Sequence, residues 1–230
     1  MLKWGDELTS LILFDLDGTV VDTANDLIET ANNVYSDNGK QNITYEIGRE
    51  ISSDGVRAFL NLRFDESVDN FDVLTKDFLK LYNQNFLNNP LLFDGMKSIF
   101  LELKNKGIKW GVVTNKARYF AEQIIKHHEL TRECSVLMCG DDLGFKPKPF
   151  PDLLLEACRL LNCDVSDAVY VGDGHRDILS AKSAKITSVL ACYGYLKKSD
   201  LIDEWRPDYI IHSPKELLVL EGLSFDNSLG

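Results

Sequence analysis

Positive charge is scarce in this sequence. Its 230 residues carry 25 lysines and arginines against 36 aspartates and glutamates, a net charge of −11. A surface of that sign repels a phosphate backbone, which argues against nucleic acid as a partner. Cysteine is sparse too. The five (Cys134, Cys139, Cys158, Cys163, Cys192) form no C-x-x-C pair, and their spacings match no common zinc pattern. Each lies in or beside an apolar stretch, where a reduced thiol packs as a small core residue; such usage suits a reducing compartment. No apolar run approaches the roughly eighteen residues a transmembrane helix needs. Gly5, Asp6 and Glu7 break up the N-terminus before any signal-peptide core could form. The expectation is a soluble cytoplasmic protein, monomer or homodimer, with no membrane and no nucleic acid among its partners. The acidity also poses a question: if the substrate is an anion, its positive counter-charge must be local.

Internal repeats, low-complexity segments and flexible linkers are likewise absent, and 44% hydrophobic with 27% charged is ordinary globular composition. Residues 11–14 (Leu-Ile-Leu-Phe) form a short apolar run suited to a strand buried on both faces. Helical spacing of apolar residues runs from Thr23 to about Asp37, and again through Val73, Leu74, Phe78, Leu81 and Tyr82. Residues 39–72 between them are polar and irregular, with a further short helix suggested only at Val56–Leu62. From Pro90 onward strands and helices alternate. Met96–Leu103 reads as a helix capped by Gly107. Strands are expected at Ile108–Val113, Ser135–Cys139, Ala168–Val171, Thr187–Ala191 and Tyr209–Ile211. Ser213-Pro214-Lys215-Glu216 fits the start of a last helix, and Ser224 to Gly230 a frayed tail. The predicted fold is α/β, a doubly wound parallel sheet formed by residues 1–20 and 91–230, with an all-helical domain inserted at 21–90.

In such sheets ligands bind beyond the carboxyl ends of the strands. The first apolar run ends in Asp15-Leu16-Asp17-Gly18-Thr19, the second in Thr114-Asn115-Lys116, the fourth in Gly172-Asp173-Gly174. The third leads into Lys146-Pro147-Lys148-Pro149. One such aspartate is commonly a turn or helix cap; four polar strand ends at one crevice are not. Asp15, Asp17 and Asp173 would repel one another without a cation, and hard oxygen ligands favour Mg²⁺. Two other patterns fail. Gly172-x-Gly174 lacks the third glycine of a dinucleotide fingerprint, and Gly140-x-x-x-Gly144-Phe145-Lys146 misses phosphate-loop spacing. His127 and His128 fit a solvated helix end, and Tyr82, Phe86 and Phe93 fit core packing.

Asp15-Leu16-Asp17-Gly18-Thr19 resembles the first motif of the haloacid dehalogenase-like superfamily. Val113-Thr114-Asn115-Lys116 resembles the second, Lys146-Pro147-Lys148-Pro149 the third and Val171-Gly172-Asp173-Gly174-His175-Arg176-Asp177 the fourth, in the family's order and with a helical cap after the first strand. The resemblance implies a phosphomonoesterase in which Asp15 is the nucleophile that forms an aspartyl-phosphate. Asp17 would be the acid and base, and Thr114 a hydrogen-bond donor to the phosphoryl group. Lys146 would be the neutralising cation that steadies Asp15, with Asn115 and Asp177 in support. Mg²⁺ would be held by Asp15, the backbone carbonyl of Asp17, and Asp173. Asp17 itself argues for phosphate esters, because halide leaves without needing a proton.

Within the family the chain looks most like phosphoglycolate phosphatases, which implies 2-phosphoglycolate as the small phosphorylated metabolite. Arg49-Glu50-Ile51-Ser52-Ser53-Asp54-Gly55, Tyr193-Gly194-Tyr195-Leu196 and Trp205-x-Pro207-Asp208 also resemble the nearby N-acetylmuramic acid 6-phosphate phosphatases. Arg49, Gly18 and Thr19 are the expected substrate contacts. Arg49 either meets a substrate carboxylate or is solvated or paired with a cap glutamate such as Glu46. A phosphosugar mutase of the β-phosphoglucomutase type would more usually show paired serines where Thr114-Asn115 stands. A catalytically silent binding subunit would not need Asp15, Asp17, Lys146 and Asp173 together.

Overall fold

The structure, a computed structural model, describes residues 9–220. Gly5, Asp6, Glu7 and the tail Ser224 to Gly230 lie outside the described residues. The run Leu11–Phe14 forms strand β1, buried throughout. The later strands are β4 (Lys109–Thr114), β5 (Cys134–Cys139), β6 (Ala168–Gly172), β7 (Thr187–Ala191) and β8 (Tyr209–Ile211). They pair in parallel in the order β5-β4-β1-β6-β7-β8. After β1 the chain builds outward through β4 and β5, then returns to the other side of β1 with β6. That reversal places the switch point at β1, where a ligand crevice is expected beyond the strand ends.

Period-two alternation separates two cores. Ile12 and Phe14 join one apolar cluster with Met96, Ile99 and Phe100 of α5 (Met96–Asn105) and Ala121 and Ile124 of α6 (Arg118–His127). Leu11 and Leu13 join the other, with Leu153, Leu154 and Ala157 of α7 (Asp152–Leu161) and Ala181 of α8 (His175–Ala184). Trp110 of β4 stacks on Phe100 at 4.1 Å between ring centres, which fixes α5 over the sheet. The final segment is a 3-10 stretch, Pro214–Val219, where the capping pattern predicts an α-helix.

Between β1 and β4 two short strands, β2 (Val21–Asp22) and β3 (Leu91–Leu92), pair antiparallel. They bracket a helical insertion: α1 (Ala24–Asp37), α2 (Tyr45–Ile51), a 3-10 turn at Ser52–Asp54, α3 (Val56–Asn61) and α4 (Phe71–Asn85). Helix α2 corrects the reading of 39–72 as largely irregular. It is short and contains Gly48, so propensity does not reveal it; packing does. A Cβ at Gly48 would lie 2.3 Å from Cγ1 of Ile28 on α1, so the glycine lets the two helices touch. Tyr35 and Phe78 are fully buried in this insertion, and the Tyr35 hydroxyl donates to the Phe59 carbonyl at 2.5 Å. The five cysteines are unpaired, Cys139 and Cys158 buried and the rest half-buried. No helix of the described residues is long and apolar enough to cross a membrane.

The insertion should depend on that buried tyrosine bond. Tyr35→Phe removes this donor, leaving the Phe59 carbonyl only the Leu62 N–H, and should cost about 0.5–1.5 kcal/mol of stability, read as a lower urea midpoint. An unchanged midpoint would show that the bond contributes nothing.

Candidate active site

The crevice holds the residues that the strand ends supply. Asp15 follows β1 directly, its N–H bonded to the Val171 carbonyl at 2.8 Å. Asp173 follows β6, and Asp177 lies in the first turn of α8, where its carboxylate accepts from Gly174 N–H at 2.9 Å. All three are buried, and one carboxylate oxygen from each falls within 4.8 Å of the other two. Gly18 is needed for that approach. Its φ is +81°, and a Cβ there would sit 2.1 Å from Oδ2 of Asp173. Gly18 and Thr19 are expected substrate contacts, yet neither lines the cavity. Gly18 instead shapes the loop, and the Thr19 hydroxyl is buried without a hydrogen-bond partner among the described residues.

The cation beside Asp15 is Lys148, not Lys146. Lys148 is buried, with Nζ 2.9 Å from Oδ1 of Asp15, 2.6 Å from Oδ1 of Asp177 and 2.8 Å from the Tyr170 hydroxyl. Lys146 is exposed and lies over the Phe150 ring. Asn115 explains the choice. Its side chain accepts from Lys148 N–H at 2.8 Å and donates to the Lys148 carbonyl at 2.9 Å, pinning that residue's backbone to the end of β4. Thr114, also buried, lines the cavity beside it. Both contacts on Asp15, from Lys148 and from Leu16 N–H at 2.7 Å, fall on Oδ1. Oδ2 has no such partner among the described residues.

Asp17 is held differently. It accepts from the Thr23 hydroxyl at 2.5 Å and from Lys116 at 2.9 and 3.2 Å, and Lys116 in turn reaches the Tyr82 hydroxyl at 2.8 Å. Burial works against the Lys116 ammonium, but Asp17 and Tyr82 outweigh it and its pKa is raised. The last residue of the second motif thus ties the Asp17 carboxylate to helix α4, a role that spacing alone does not disclose.

The charges do not balance by themselves. Four carboxylates (Asp15, Asp17, Asp173, Asp177) face two ammonium groups, leaving the negative charge that one divalent cation neutralises. Burial first, then Asp177 and Asp15, push the Asp173 carboxyl up to about 8. Burial likewise raises Asp15 to about 6, against the pull of Lys148 and with a further push from Asp177. An all-oxygen donor set of this kind fits a hard divalent cation. Asp177, expected only to support the site, stands in the donor group on equal terms with Asp15 and Asp173.

The insertion closes over this centre. Ser53 donates to Asp173 at 3.0 Å, and Tyr195 N–H bonds the same carboxylate at 2.7 Å. Asp54 pairs with Arg176 at 2.8 Å and with Lys197 at 2.5 Å. A cavity of about 250 Å³ lies between, with the polar groups of the crevice on one side and Leu27, Val56, Phe78, Leu79 and Phe120 on the other. Arg49 does not line it. Its Nη2 donates to the Tyr193 carbonyl at 2.8 Å and its guanidinium lies 5.3 Å from the Tyr195 ring centre. The expected substrate contact is therefore a clamp between insertion and core, and it is not the pairing with Glu46 either.

A parallel sheet whose switch point carries buried carboxylates, a buried lysine and a closing helical insertion defines an α/β enzyme acting on an anionic group. The chain belongs to the haloacid dehalogenase-like hydrolase family, whose model matches residues 12–191. It is 34% identical over 208 residues to an N-acetylmuramic acid 6-phosphate phosphatase of Pseudomonas putida, covering 90% of this chain and 93% of the relative. It is 37% identical over 207 residues to a phosphoglycolate phosphatase of Xanthomonas campestris pv. campestris, with the same coverage of each. A crystal structure of a predicted phosphoglycolate phosphatase from Haemophilus somnus superposes with a TM-score of 0.81 at 25% identity, over 94% of this chain and 99% of that one.

The raised carboxyls have a measurable consequence. Asp173 ionises near 3.9 when unfolded and near 8 when folded, so its contribution to stability is complete below about pH 4. It is lost as the pH rises through 8. A divalent cation removes that penalty. Mg²⁺ should therefore raise the melting temperature more at about pH 8 than at about pH 5, and Asp173→Asn should shrink the difference. An equal rise at both pH values would refute a shared cation at this carboxylate cluster.

Proposed function

We propose that this hydrolase is a Mg²⁺-dependent phosphomonoesterase working through an aspartyl-phosphate. The observation that carries the reading is the buried Lys148 between Asp15 and Asp177, which leaves Oδ2 of Asp15 open to attack. Phosphoryl transfer has a loose, charge-dispersed transition state, so what a protein supplies is in-line position and neutralisation. Oδ2 of Asp15 attacks phosphorus as the ester P–O bond breaks, and Asp17 gives a proton to the departing alkoxide. Asp17 then takes a proton from a water that attacks the same phosphorus, freeing phosphate and restoring Asp15. Thr114 and Lys148 hold the phosphoryl oxygens, while Asn115 fixes Lys148. Mg²⁺, held by Asp15, Asp173, Asp177 and the Asp17 carbonyl, would neutralise the phosphate charge. In this reading the chain divides into a core of residues 1–20 and 91–230 and a cap of residues 21–90, which excludes water when closed.

The phosphoglycolate phosphatase relative supports 2-phosphoglycolate as substrate. The apolar wall supports a second reading, N-acetylmuramic acid 6-phosphate, because a two-carbon acid leaves Val56, Phe78 and Phe120 without a partner. A mutase reading loses support, since Asn115 is occupied in holding Lys148.

Asp15→Asn should abolish phosphate release while leaving the circular dichroism spectrum and melting curve those of a folded protein. Near-normal turnover in that variant would refute the nucleophile. Among the lysines, Lys148→Met should lower kcat by at least about 100-fold, as loss of a buried transition-state cation does, whereas Lys146→Met should stay within about threefold of normal. The reverse ranking would return the role to Lys146.

A further inference from the structure

We infer that Arg176 is a substrate-binding residue that pairs with a carboxylate on the phosphate ester, and so selects phosphorylated acids over neutral phosphate esters. The inference rests on the phosphatase reading above.

Among the described residues three cationic side chains line the cavity: Lys116, Lys148 and Arg176. The first two are matched by the catalytic carboxylates, Lys116 by Asp17 and Lys148 by Asp15 and Asp177. Arg176 differs. Its partner is Asp54 of the insertion, reached by Nη2 at 2.8 Å, and the other oxygen of Asp54 already holds Lys197. Two cations share one carboxylate there, leaving a net positive charge at the cavity wall. Lys197 itself does not line the cavity, so the surplus is presented through Arg176.

The chemistry of the group narrows the ligand. A guanidinium offers five N–H donors in a planar fork, and Asp54 takes one of them. The remainder suit the two oxygens of a carboxylate. Position narrows it further. Arg176 directly precedes Asp177 on α8 and lines the same cavity as Asp15 and Thr114, so one ligand in that cavity can reach both ends. The apolar side chains of Val56 and Phe120 complete the wall that such a ligand would touch. With Arg49 turned toward the Tyr193 carbonyl, the carboxylate role expected of an insertion arginine falls to a core arginine.

The test compares matched esters with and without the carboxylate: 2-phosphoglycolate against ethyl phosphate, and N-acetylmuramic acid 6-phosphate against N-acetylglucosamine 6-phosphate. In the unaltered protein kcat/KM should favour the acid of at least one pair by about 10- to 100-fold, the range of a hydrogen bond between charged groups. In Arg176→Gln that preference should collapse toward one, mainly through KM for the acid, and Arg176→Lys should restore part of it. Lys197→Met is the control for docking of the insertion, and it should lower both members of a pair by the same factor. If Arg176→Gln also lowers both equally, Arg176 only docks Asp54 and the inference fails while the phosphatase reading stands. An unaltered protein that prefers neither acid overturns the inference in the same way. If it releases phosphate from none of these esters or from a generic aryl phosphate, the phosphatase reading itself fails.

Discussion

Four aspartates gathered where water is largely excluded constitute the constraint from which the rest of this molecule follows. Burial raises the pKa of Asp173 and Asp15, and neighbouring carboxylates add to the effect. The fold answers with two buried ammonium groups placed at hydrogen-bond distance, and with a donor set open to a divalent cation. Neither answer could come from the surface, which is acidic overall and would only add repulsion. The positive charge the site needs is thus held inside it, within a few ångströms of where it acts.

Placing a lysine in such a centre requires control of its backbone, because the ammonium itself is a compact charge on a flexible stem. Here the control comes from β4. Asn115 grips both backbone polar groups of Lys148, and the Tyr170 hydroxyl, which donates to the Val113 carbonyl, receives the ammonium. Strands β4 and β6, on opposite sides of β1, therefore both determine where one side chain sits. That is a use of the switch point beyond offering a crevice: it lets three adjacent strands converge on a single charge.

Much of this is legible from residue order. The strands show as short apolar runs, and their polar endings mark the carboxyl edge of the sheet. What is not legible has physical reasons. The Lys-Pro-x-Pro pattern occurs twice in Lys146-Pro147-Lys148-Pro149-Phe150-Pro151, and only the contact with Asn115, 33 residues away, decides between them. Helix α2 is too short and too interrupted by Gly48 to announce itself, and it exists because Ile28 packs against that glycine. Arg49 sits in a segment that invites a substrate contact, but its direction is set by the Tyr193 carbonyl, 144 residues on. Each miss concerns a long-range partner, which local periodicity does not encode.

The same long-range contacts tie the insertion to the charged groups of the site. The helical insertion does not rest on the core through an apolar seam alone. Ser53 bonds Asp173, and Tyr82 bonds the lysine that holds Asp17, so two of the four central carboxylates are contacted, directly or through one residue, by the insertion. A cation or phosphoryl group entering the crevice must compete with these bonds or share them. Ligand binding and the position of the insertion are then linked, each altering the other's free energy by the same amount. A surface made only of apolar contacts would give the insertion no hydrogen-bonded link to the carboxylates it covers.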